Sequence, residues 1–233
     1  MEASVPAGPA WSVTWAVVGV DMIEKKQVLA FGDSLTWGRD PEAKARHRHA
    51  DRWTSVVEAE LADVRVIAEG LSGRTTCFDD HAGPADRNGT RALPVLIGSH
   101  APLDLVIIML GTNDLKPHVC GSALAASFGM ARLVEIVRTY PHGRQPPAIL
   151  LMSPPHFGAS RAPDGQPGGG RSIVESQKLA PLYKAVAERA DCSFFDAASV
   201  SVASKVDGVH LDAVNTRAIG TALAPVVAAM LTR

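Results

Sequence analysis

A serine, a histidine and an aspartate in this 233-residue chain have the types and spacing for nucleophilic acyl chemistry. Ser34 follows Gly32 and Asp33 at the end of an apolar run, on what reads as a strand-to-helix turn. A serine hydroxyl is a weak nucleophile until a neighbouring base takes its proton. Taken alone, Ser34 reads first as a helix N-cap. His210 supplies the base. It precedes a helical stretch, with Asp207 three residues upstream. That spacing lets the carboxylate meet Nδ1 while Nε2 faces a nucleophile. Attack on an ester carbonyl creates a negative oxygen that preorganised donors must meet. The N–H of Gly73, the side-chain amide of Asn113 and the N–H of Ser34 are the expected donors. Gly73 also lets the chain pass close to a substrate. Singly, Gly73 reads as a turn glycine and Asn113 as a cap; together with base and nucleophile they read as an active site.

These residues need a scaffold that brings distant segments to one rim. Short apolar runs at Val28–Phe31, Val64–Ala68, Leu105–Leu110, Ala148–Met152 and Ser193–Phe195 read as strands. Most are continuously apolar, as expected of parallel strands covered on both faces. Helical patterns lie between them at about Arg52–Ala62, Leu93–Ser99, Ser122–Arg138 and Val174–Ala190, with a last helix from Ala213 to Leu231 that Pro225 should kink. This alternation predicts a doubly wound α/β sheet with right-handed crossovers. Ligands bind outside the carboxyl ends of such strands, where Gly32–Leu35, Gly70–Thr76, Gly111–Asp114 and Ser153–Pro155 fall. The breaker-rich segment His156–Arg171 is long for a compact domain and reads as a lid, an assembly element or a disordered loop.

Four motifs in order, Gly-Asp-Ser-Leu at 32–35, Gly73, Gly-Thr-Asn-Asp at 111–114 and Asp207-x-x-His210, resemble the SGNH (GDSL-type) hydrolase superfamily from Val28 onward. The resemblance implies a three-layer α/β/α, flavodoxin-like fold with a five-stranded parallel sheet. It makes Ser34 the nucleophile, His210 the base and Asp207 its partner, with Ser34, Gly73 and Asn113 as oxyanion donors. The segments Gly32–Gly38, Arg52-Trp53, Gly70–Thr76 and Leu103–Asp114 are further similar to the bacterial arylesterase/acyltransferase subgroup. That likeness implies hydrolysis of short-chain and aryl esters, acyl transfer to alcohol or peroxide, and a homo-oligomer, possibly an octamer, to whose assembly His156–Arg171 is a candidate contributor. A carbohydrate acetylesterase or a lysophospholipase/thioesterase of the same superfamily is the alternative, and a non-catalytic binding module a remote one. Arg39 stands where some acyl-transferring members carry tryptophan, and a hydrated side chain there favours water as acceptor.

Other residues have plainer expectations. Leu35, Trp37, Thr112, Lys116 and Val209 flank the motifs and are candidates for substrate contact, although Trp37 reads equally as core. Asp33 and Asp114 are expected to accept loop N–H groups, and Arg74 to fix the Gly73 loop. His156 is a rival base with no carboxylate near it in sequence. His47, Arg48, His49 and Asp51 read as a solvated basic loop rather than a zinc site, since no third ligand follows at metal spacing. No Gly-x-Gly-x-x-Gly follows the first strand and no Gly-Lys-Ser/Thr occurs, which removes the usual nucleotide signatures.

A net charge of −1, from 23 basic and 24 acidic side chains, argues against nucleic acid or an anionic membrane as the main partner. A small ester is the expected ligand, and no cofactor or metal is called for. Cys77, Cys120 and Cys192 are far apart and odd in number, suiting reduced thiols in a cytoplasmic protein. Residues 1–22 read as an upstream extension, with the apolar stretch Trp11–Val20 too short to span a bilayer. Residues 23–233 read as one domain.

Overall fold

The computed structural model describes residues 24–232. In chain order it contains β1 (Lys26–Gly32), α1 (Ser34–Trp37), α2 (Trp53–Glu60), β2 (Val64–Gly70), α3 (Gly89–His100), β3 (Leu105–Met109), α4 (Ala123–Thr139), β4 (Ala148–Ser153), α5 (Ile173–Arg189), β5 (Ser193–Asp196) and α6 (Ala213–Leu231). The five strands pair in parallel in the order β2-β1-β3-β4-β5.

The continuous apolar runs serve two cores at once, because successive side chains leave a strand on opposite faces. Leu29, Phe31, Val106, Ile108 and Leu151 pack with Leu93, Ile97, Leu133, Leu179 and Tyr183 of α3, α4 and α5. Val28, Ala30, Ile107, Met109 and Leu150 pack on the other face with Trp53, Val57, Ile219, Leu223 and Val227 of α2 and α6. The result is the expected three-layer sandwich. Helix α6 is apolar and long enough for a membrane by composition, yet its buried face covers the sheet and continues unbroken through Pro225.

The switch in strand order falls at β1, which β2 and β3 flank on either side in the sheet. The carboxyl ends of these three strands therefore open a common crevice. Gly70 ends β2 opposite Gly32 of β1, and a Cβ on it would lie 2.2 Å from the backbone nitrogen of Trp37. Only a residue without a side chain lets β2 close against α1. Gly70→Ala should therefore lose about 1–3 kcal/mol by overpacking. Urea unfolding should show a lower midpoint at an unchanged slope. An unshifted midpoint would mean that α1 yields freely.

Candidate active site

Asp33 sets the position of Ser34. Its Oδ1 accepts the Leu35 N–H at 2.9 Å and caps α1, so Ser34 begins the helix as its first residue. Gly38 ends that single turn in the left-handed region. Ser34 Oγ thereby lies 2.9 Å from His210 Nε2. His210 Nδ1 lies 2.6 Å from Asp207 Oδ2, and Asp207 Oδ1 accepts the N–H groups of Val209 and His210, both at 2.9 Å. Burial alone would raise the Asp207 pKa, but the His210 ring and these N–H groups hold it down at about 2. The carboxylate stays ionised and fixes the imidazole with Nε2 towards the serine.

Two segments brace the loop that carries Asp207 and His210. His47, expected in a solvated loop, is instead buried, and its Nε2 bonds the Leu211 carbonyl at 2.9 Å. The segment expected to be a lid, an assembly element or disorder runs along the same loop. Gly158 N–H donates to Gly208 O at 3.0 Å, Gly168 N–H to Asp207 O at 2.7 Å, and Arg161 N–H to Lys205 O at 2.7 Å.

Gly73 and Asn113, the expected donors, follow β2 and β3. Arg74 donates to the carbonyls of Gly32, at 2.9 Å, and Glu69, and lies 4.3 Å over the Phe31 ring, fixing the loop as expected. Burial lowers its pKa to about 10, against the pull of Glu69 and Asp33. Gly73 follows at φ +91°, a left-handed conformation that favours glycine. Asn113 Nδ2 donates to Arg74 O at 3.0 Å and lies 3.3 Å from Asp33 Oδ2. Asp114 accepts from the Thr76 N–H at 3.0 Å and from its hydroxyl, and burial raises its pKa to about 6. Asp33 and Asp114 both accept loop N–H groups as expected.

The flanking residues divide. Leu35 and Val209, expected at the substrate, are packed into the two cores at 3% and 2% exposure and offer almost no surface. Thr112 is likewise buried. Trp37 is half-buried, with the Arg46 guanidinium 5.2 Å from its ring centroid, and Lys116 is tied to Asp80 at 2.8 Å. His156 is half-buried and has no hydrogen bond at Nε2. One residue escaped sequence reading altogether: Arg171, whose guanidinium reaches Asn113 Oδ1 at 2.9 Å. A cavity of about 810 Å³ opens at the opposite, amino-terminal edge of the sheet, lined by Lys26, Asp104 and Arg144 but by none of Ser34, Gly73, Asn113, Arg171, Asp207 or His210.

A hydroxyl, an oriented imidazole, a carboxylate and an amide on one rim can carry out acyl transfer through a covalent intermediate. The GDSL-like lipase/acylhydrolase family matches residues 30–215. Among solved structures, a protein from Agrobacterium tumefaciens str. C58 with a provisional arylesterase name is 56% identical, with a TM-score of 0.86 over 88% of this chain and 99% of its own. A carbohydrate acetylesterase family member from Sinorhizobium meliloti is 48% identical, with a TM-score of 0.84 over 89% of this chain and 100% of its own. The aryl esterase of M. smegmatis is 41% identical, with a TM-score of 0.81 over 88% of this chain and 99% of its own. A search of curated proteins gives no match.

Proposed function

This chain belongs to the GDSL-like lipase/acylhydrolase family as a carboxylic ester hydrolase, and from that premise we propose that Ser34, His210 and Asp207 are its catalytic triad, acting on short-chain and aryl esters through an acyl-enzyme. The continuous chain of contacts, 2.9 Å from Ser34 to His210 and 2.6 Å on to Asp207, carries this reading. His210 takes the Ser34 proton as Oγ attacks the carbonyl carbon. The tetrahedral oxyanion is met by the N–H groups of Ser34 and Gly73 and by Asn113 Nδ2, which gives up its long 3.3 Å contact with Asp33 Oδ2 to do so. Neither backbone N–H has an acceptor among the described residues, which leaves both available. Collapse expels the alcohol, which receives the proton from His210. Water, or another hydroxyl acceptor, is then activated by the same imidazole and releases the acid.

The reading of the acceptor rests on Arg39. Arg39 is half-buried beside the nucleophile's helix, its N–H donating to Ser34 O at 2.9 Å. Its charge favours hydrolysis, with transfer to alcohols and peroxide as a side activity. A carbohydrate acetate is the second reading, favoured by the Sinorhizobium meliloti neighbour. A series of p-nitrophenyl esters from acetate to laurate, run with and without an alcohol, tests the proposal. A p-nitrophenol burst that saturates at one equivalent and is fastest with acetate is expected. Fastest turnover on laurate would overturn the short-acyl reading. Acetylated xylose turned over faster than aryl acetates would favour the second.

A further inference from the structure

Arg171 is the last residue of the long loop and stands directly before Ser172, the cap of α5. It is 9% exposed, and its guanidinium has no carboxylate partner among the described residues. Its donors go instead to three carbonyl oxygens: Nε to Thr112 O at 2.9 Å, Nη2 to Asn113 Oδ1 at 2.9 Å, and Nη1 to Gly168 O at 2.5 Å. A buried cation is costly to desolvate, and burial does lower its pKa, opposed at a distance by Asp33, Asp207 and Asp80. A mere fastening of the loop does not need a charge at this place.

We propose that Arg171 is the positioning residue of the oxyanion site, acting through Asn113; this rests on the reading of Asn113 as an oxyanion donor. An asparagine amide can present either edge, and the edge that faces the reacting carbonyl decides whether it donates or repels. Arg171 holds Oδ1, so Nδ2 turns towards Arg74 O and the nucleophile's cap Asp33. A flipped amide would set its oxygen against that carbonyl and carboxylate and its NH₂ against a guanidinium. The guanidinium also draws electron density through the amide oxygen, which makes the N–H a stronger donor, since hydrogen bonds in a chain polarise one another. The third bond, to Gly168 O, joins this device to the base, because Gly168 N–H holds Asp207 O. One arginine thus ties the donor wall to the base loop.

The test is a double-mutant comparison on p-nitrophenyl acetate. Asn113→Ala should lower kcat by about 10²–10³-fold. Arg171→Met should lower kcat by about 10–100-fold with KM within about 3-fold, and adding it to N113A should change kcat by less than about 3-fold further. Arg171→Lys keeps the charge but not the planar fork, and its kcat should fall between those of R171M and the wild type. Should R171M melt below the assay temperature, R171K in the two backgrounds gives the same comparison. A folded R171M with wild-type kcat, or an equal loss with and without Asn113, would overturn the positioning role. An unchanged kcat in N113A alone would overturn the oxyanion reading itself, and the positioning role with it.

Discussion

Replacing Ser34 with alanine should lower p-nitrophenyl acetate turnover by about 10⁴-fold or more while the protein stays folded. The size of the loss follows from what the hydroxyl does. It is the only group removed, and in the proposed mechanism its oxygen forms the covalent bond to the acyl carbon. The donors remain, so a small rate over water should survive. The fold should tolerate the change because the hydroxyl is not the cap of α1. That task belongs to Asp33, whose Oδ1 takes the Leu35 N–H. Ser34 Oγ instead spends its hydrogen bond on His210. Circular dichroism and a thermal melt close to wild type, with no adduct from a fluorophosphonate in intact-mass spectra, are the expected companions of the lost rate. Full turnover in a folded S34A protein would place the nucleophile elsewhere.

The same contrast explains what could be read from residues alone. The residue that caps α1 is Asp33, one position before Ser34. Strand positions were legible because continuous apolar runs such as Leu105–Met109 must be covered on both faces. The grouping of Ser34, Asn113, Asp207 and His210 was legible because each sits at a strand end or loop that one sheet gathers to one rim. The start of α3 was not: Gly89 and Pro94 weaken the pattern, and the Asn88 cap that begins it at Gly89 is a side-chain contact. Leu35 and Val209 flank Ser34 and His210 in sequence, and their side chains pack into the two cores. Arg171 and His47 were hidden because their partners lie 58 and 164 positions away. No local pattern encodes a contact of that span.

Asp207→Asn carries the second large expectation, a loss of about 10³–10⁴ in kcat with little change in the fold. The backbone decides how the new side chain must sit. Two N–H groups, from Val209 and His210, point at Oδ1 at 2.9 Å each and require an acceptor there. The asparagine oxygen must take that place, which turns its NH₂ towards His210 Nδ1. Nδ1 then accepts, the ring proton moves to Nε2, and the nitrogen facing Ser34 donates where it needs to receive. The wild-type carboxylate also sets a pH signature. Its pKa stands at about 2, below the ordinary 3.8, so the stability it contributes is present above the ordinary value and is lost as pH falls towards 2. The asparagine variant lacks that loss. Its urea midpoint should therefore fall less steeply than the wild type's between about pH 5 and pH 2, while its turnover at neutral pH stays low throughout. A variant with more than a tenth of wild-type kcat would remove Asp207 from the triad, and equal acid slopes would show that its carboxylate is not held by the folded loop.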